Sequence, residues 1–181
     1  MPVLLNKLEE ASSRYPLEKP AETLEEARAA GLQTAYVCHS GKDLFLAEGL
    51  QVLLKDRGWN VFIDWEDENM SEKPSRETAA RVQATIRKYD WFLFLASAAS
   101  IVSPWCFWEL GYAQGVKQYD SILIIPTKDD NNVWYGGEFL QVFRHIEVTS
   151  SQRFGAFRPG EDRGVLVADL CVPEQVAKAE N

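Results

Sequence analysis

Hydrophobic positions along this chain change period repeatedly, from short unbroken runs to stripes spaced three and four residues apart. Thr34-Ala35-Tyr36-Val37-Cys38, Val61-Phe62-Ile63, Trp91 to Ala96, Ser121 to Ile125 and Arg144 to Val148 read as strands. The run from Trp91 to Ala96 has no polar break, which predicts a central strand covered on both faces. Pro126 is expected to end the strand before it. Between these runs the spacing is helical. Leu46, Leu50, Leu53 and Leu54 share one stripe that stops at Arg57-Gly58. Ser75 can cap a second helix, with Ala79, Val82 and Ile86 inward and Arg76, Arg81, Arg87 and Lys88 outward. A third helix opens at Ser103-Pro104, a good N-cap followed by a residue preset for the first turn. A short helix is expected from Glu138. Strands alternating with helices over short connections imply an α/β domain, an open parallel sheet with helices on both sides.

The flanks read differently. Residues 1–31 form an N-terminal helical extension: residues 3–13 suit a helix, Pro16 and Pro20 interrupt it, and Ala21 to Ala30 close at Gly31. Such an extension either packs on its own domain or serves as an oligomerisation or partner-docking element. Residues 32–150 carry the alternating pattern. Residues 151–181 read as a C-terminal tail, with a strand candidate at Val165-Leu166-Val167 and a polar end from Pro173.

Composition narrows the function. With 181 residues, 46% hydrophobic content and six Trp, the chain suits one folded domain plus short extensions. A formal charge of −8 argues against a nucleic-acid groove, and the scattered Lys and Arg offer no polybasic run for a membrane surface. Cys38, Cys106 and Cys171 form no CxxC pair, so neither a zinc site nor a disulfide framework is expected. The N-terminus lacks the layout of a signal peptide, and the longest apolar run, Trp91 to Ala99, is too short for a bilayer. A cytoplasmic protein without a metal is the expectation.

The densest chemistry lies in Ser103-Pro104-Trp105-Cys106-Phe107-Trp108-Glu109-Leu110-Gly111-Tyr112-Ala113. Trp105, Trp108, Glu109 and Tyr112 stand at i, i+3, i+4 and i+7, while Cys106, Leu110 and Ala113 make a second, core-facing stripe. One carboxylate among exposed aromatics violates the rules of either face, as functional sites do. In open parallel sheets ligands bind outside the carboxyl ends of the strands. That rule selects His39 and Ser40, Asp64 and Trp65, Ser97 to Ser103, and Thr127-Lys128. Ser40 and Asp43 approximate a capping box. No GxGxxG loop, Walker lysine or hydrolase elbow is present.

In order and spacing these segments resemble the TIR (Toll/interleukin-1 receptor) domain. Tyr36-Val37-Cys38-His39-Ser40-Gly41-Lys42-Asp43 resembles the bacterial opening, and Val61-Phe62-Ile63-Asp64 the start of the loop after the second strand. Phe94-Leu95-Ala96-Ser97, followed by Ser103 to Leu110, resembles the family's aromatic-acid segment. The resemblance covers roughly residues 33 to 148. It implies a flavodoxin-like sheet of about five strands. In the family's bacterial NAD-cleaving branch it implies scission of the nicotinamide–ribose bond of NAD+, a substrate rather than a cofactor. The product is ADP-ribose or a cyclic ADP-ribose-type signal, in antiphage defence.

Glu109 matches the catalytic glutamate, Trp105 the tryptophan one turn earlier, and Asp64 the acid opening the loop over the pocket. His39, Ser40, Trp65, Ser97, Trp108 and Tyr112 join Trp105 and Asp64 as substrate-binding candidates. Self-association through TIR domains, and a companion effector or sensor protein, are the implied partners. Two departures stand out: Cys38 occupies a frequent serine position, and residues 64–74 lack the usual glycine. A noncatalytic TIR interaction module and a nucleoside deoxyribosyltransferase-like enzyme are the competing readings.

Overall fold

The unbroken apolar run Trp91–Ala96 becomes the central strand of the sheet in the computed structural model, which describes residues 1–14, 21, 23–63 and 75–171. The chain proceeds as β1 (Val3–Leu4), α1 (Leu5–Ser12), α2 (Leu24–Ala29), β2 (Gln33–Cys38), α3 (Leu44–Lys55) and β3 (Trp59–Ile63). It continues as α4 (Arg76–Lys88), β4 (Trp91–Ala96), α5 (Pro104–Val116), β5 (Ile122–Lys128), β6 (Arg144–Val148), β7 (Phe154–Phe157) and β8 (Gly164–Leu166). The order across the sheet is β3-β2-β4-β5-β6-β7-β8, parallel as far as β6 and antiparallel beyond it.

Alternate residues of each strand feed two cores. Ala35, Val37, Leu93, Leu95, Leu123 and Ile125 pack with Leu46, Leu50 and Leu54 of α3 on one face. Tyr36, Phe92, Phe94 and Ile124 pack with Val82 and Ile86 of α4 and with Cys106, Leu110 and Ala113 of α5 on the other. The caps follow the local chemistry. Ser75 Oγ accepts from the Thr78 amide at 3.1 Å and Ser103 Oγ from the Cys106 amide at 3.3 Å. Gly31 leaves α2 at φ +72°, a backbone that side chains disfavour.

Four features differ from the sequence expectation. First, the N-terminal segment is woven into the sheet. β1 pairs with the far end of β5, Val3 opposite Thr127, and the Val148 amide donates to the Met1 carbonyl at 2.8 Å. β1 thereby fills the gap left where β5 and β6 diverge. α1 then lies across α3, which buries Ala47, Gly49, Gln51 and Val52 besides the leucine stripe. A Cβ on Gly49 would stand 2.0 Å from the Leu8 carbonyl oxygen, so only glycine admits this crossing.

Second, β5 runs through Pro126 to Lys128. Pro126 lacks an amide proton but stands in register opposite Ala96, whose carbonyl also accepts from Thr127 Oγ1 at 2.5 Å. Third, the expected helix after Glu138 is a single 3₁₀ turn, Phe139–Val142. Fourth, the stretch after residue 150 adds β7 and β8. Phe154 and Ala156 complete the α3-side core, and the Val167 carbonyl accepts from Trp59 Nε1 at 3.1 Å. Among the described residues, no helix is long and apolar enough to cross a membrane.

Candidate functional site

β2 leads through α3 to β3 on one side, whereas the chain returns through α4 to β4 on the other. The carboxyl ends of β2 and β4 therefore flank a topological switch point, where the outgoing loops separate and leave a crevice. Residues 39–43 and 97–103 form its two lips, and α5 starts from the second lip.

α5 runs down from this rim. Glu109, the sixth residue of the helix, lies about 8 Å below its start at 1.5 Å per residue. It is 1% exposed. Its Oε2 accepts from Tyr36 Oη at 3.0 Å, and Tyr36 sits two residues below the end of β2. The helix and the strand thus descend by similar distances before their side chains meet. This placement corrects the expected exposed face. Glu109 falls on the i, i+3, i+4, i+7 stripe Cys106, Glu109, Leu110, Ala113, which is the buried side of α5. The carboxylate lies buried beneath the switch point, between α5 and β2, rather than on an exposed face.

Cys38 is buried beside Glu109. Its Sγ donates to the Cys106 carbonyl at 3.7 Å. Burial first, then contact with Cys106 and the charge of Glu109, hold its thiol well above the ordinary range. A neutral thiol is a poor nucleophile.

The aromatics of α5 form a ladder. Trp105 and Trp108 stack with centroids 4.8 Å apart, and Trp108 and Tyr112 stack at 6.2 Å. Arg87 of α4 covers the Tyr112 ring at 5.3 Å. Trp105 occupies the rim end of the ladder. Tyr112 lies about 12 Å along the helix from its start, between the two helices, and its buried hydroxyl has no hydrogen-bond partner among the described residues.

The remaining candidates separate by role. His39 is buried, with Nδ1 2.8 Å from the Ser40 carbonyl oxygen. Ser40 caps the 3₁₀ turn Gly41–Asp43, accepting from the Lys42 amide at 3.4 Å. The expected capping box does not form, because Asp43 turns across the switch point. Its Oδ2 accepts from Ser97 Oγ at 2.5 Å. That bond ties the end of β4 to the start of α3, and Ser97 and Ser100 exchange hydrogen bonds within the loop after β4. Thr127 and Lys128, selected at the end of β5, pair with β1. Asp64 and Trp65 lie outside the described residues. Among the described residues, no group of three or more His, Cys, Asp and Glu could hold a metal.

Sequence reasoning missed Tyr36 and Asp43. Tyr36 had one available signal, a polar tip in a strand otherwise buried on both faces.

Comparison with known proteins bears on the family of the fold. A TIR domain family model matches residues 36–158. The chain is also 30% identical over 113 residues to a probable 3′ cyclic ADP-D-ribose synthase, ThsB′, of Bacillus cereus (strain MSX-D12). That match covers 61% of this chain and 58% of the relative, so less than two thirds of the relative's length is spanned. A family match running from β2 through β7, on a mostly parallel sheet flanked by helices, makes this chain a member of the TIR domain family.

Proposed function

We propose that this chain cleaves the nicotinamide–ribose bond of NAD+, with Glu109 as the catalytic carboxylate. The observation that carries the reading is a buried glutamate, hydrogen-bonded by Tyr36, at the switch point of the sheet beside a stacked tryptophan pair.

Such a site needs few groups. The nicotinamide ring of NAD+ is already cationic, so the C–N bond can break with its electrons passing to the ring nitrogen and neutral nicotinamide leaving. No general acid is required. Positive charge develops on the ribose, and one fixed carboxylate beside it stabilises that charge most where water is excluded. A preorganised group of this kind contributes about 3–4 kcal/mol, or about 10²–10³ in rate. Trp105 at the rim offers a flat surface for a ring. His39 and Ser40 stand on the opposite lip for the phosphates or the adenosine half. Because Glu109 is covered, substrate binding requires the crevice walls to part, and turnover by the dilute chain is expected to be slow. Self-association through TIR domains is the proposed route to the open form.

The relative is named as a cyclic ADP-ribose synthase, which favours a cyclic product here. In that case a hydroxyl or ring nitrogen of the same molecule, rather than water, attacks the ribose carbon. Incubation with NAD+ across a range of protein concentrations, with mass spectrometry of the products, tests the reading. Nicotinamide together with a cyclic ADP-ribose isomer is the expected result, in a yield per molecule that rises with concentration. Absence of nicotinamide at every concentration would overturn it, and exchange of a deoxynucleoside base would favour the transferase.

A further inference from the structure

On the opposite face of the sheet from Glu109, residues of α1, α3, β6 and β7 line an open cleft of about 510 Å³. Three cations, Lys7, Arg14 and Arg57, line it in a chain whose formal charge is −8. The one carboxylate in the lining, Glu10, is exposed.

The cations are poorly compensated. Lys7 Nζ donates to the neutral Gln152 Oε1 at 2.7 Å. Arg57 lies over the Phe154 ring at 4.5 Å and donates to the Leu53 carbonyl. Neither forms an ion pair with a carboxylate among the described residues, although the nearby Asp56 acts on Arg57 through its charge. Arg14 reaches Asp56 only at 3.4 Å, in a pair half open to water. Burial lowers the Arg57 guanidinium below its ordinary value without discharging it at neutral pH. The ring contact and the carbonyl bond fix that guanidinium before any ligand arrives. The floor, by contrast, is apolar, with Leu53, Val148 and Phe154 in the lining.

We infer that this cleft is a second ligand site, taking a phosphate-bearing small molecule of about mononucleotide size. The volume lies in the range of small-molecule sites. Converging cations favour a multiply charged oxyanion, and fixed guanidinium forks suit phosphate geometry. An apolar floor under a charged rim calls for a ligand with a neutral body and an anionic end. The site is independent of the NAD-cleaving proposal, since it shares no residue with the crevice over Glu109.

The test is calorimetric titration of AMP, adenosine and inorganic phosphate into the full chain as wild type, Arg57→Gln and Lys7→Gln. AMP is expected to bind the wild type and to bind each variant at least ten-fold more weakly. Displacement of AMP by excess inorganic phosphate supports the site. No AMP binding to the wild type would overturn it, as would adenosine binding as tightly as AMP. Binding that both variants leave intact would place AMP elsewhere and equally overturn it. Lys7 is half-buried and belongs to neither hydrophobic core, so Lys7→Gln keeps the test decisive if Arg57→Gln fails to fold.

Discussion

Tyr36 Oη donates to Glu109 Oε2 at 3.0 Å, joining the middle of β2 to the second turn of α5 across a buried floor. The bond serves two ends. It offsets part of the cost of burying a carboxylate, and it fixes one oxygen so that the other has a defined direction. Tyr36→Phe keeps the ring contacts with Phe62 and Phe92 and removes only the donor. A loss of about 1–3 kcal/mol is expected in urea unfolding, together with slower nicotinamide release. Unfolding and release both matching wild type would show that the hydroxyl does neither job.

Gly49 marks the point where α1 crosses α3. An added Cβ would meet the Leu8 carbonyl oxygen at 2.0 Å and its carbon at 2.7 Å, both backbone atoms with no rotamer to yield. Gly49→Ala improves intrinsic helix propensity yet should destabilise the chain by about 1–3 kcal/mol, as overpacking does. The denaturation midpoint measures it. An unchanged or higher midpoint would mean that α1 does not pack on α3 in solution.

Asp43 and Ser97 tie α3 to the end of β4 through one buried hydrogen bond. Truncating Ser97 strands a carboxylate, whereas changing both partners removes the conflict. A double-mutant cycle of Asp43→Asn and Ser97→Ala should therefore show coupling of about 1–3 kcal/mol. Additive effects would contradict a direct bond.

Lys117, at the end of α5, donates to the Tyr89 carbonyl at 2.5 Å. Burial pushes its ammonium down from an ordinary 10.5 to about 8, with Asp90 opposing the shift and Arg28 adding to it. Between those two values the folded chain holds fewer protons than the unfolded one, so stability rises with pH. Below about 8 the penalty is fully present. Lys117→Met removes it, apart from a constant offset for the lost Tyr89 bond. The stability of the variant relative to wild type should therefore fall as pH rises from 8 toward 10.5. A difference independent of pH would refute the depressed amine.

The parts of the fold legible in the sequence are those where one local rule acts alone. Trp91 to Ala96 could only be a buried strand, and Ser75 and Ser103 announced their helices because capping is local chemistry. The illegible parts depend on distant partners. Nothing near Val3 signals pairing with Thr127, and Pro126 sits at a register position opposite Ala96 where the strand continues. Phe154 to Phe157 is too short to stand out before β6 offers it an edge. At the candidate site, helical spacing brought Trp105, Trp108 and Tyr112 together correctly. It placed Glu109 on that same face, whereas the structure buries it beside Cys106, Leu110 and Ala113, where Tyr36 meets it. Asp43 followed the same logic, leaving an expected local cap for a hydroxyl two strands away in sequence.

Nicotinamide release from NAD+ by wild type and Glu109→Gln, at matched concentration and with matched unfolding midpoints, tests the central claim most directly. The glutamine keeps the size of the side chain and an acceptor for Tyr36 while removing the charge. Release is expected to fall at least 100-fold, the scale of one preorganised electrostatic group. A folded Glu109→Gln protein that releases nicotinamide at the wild-type rate would contradict the account.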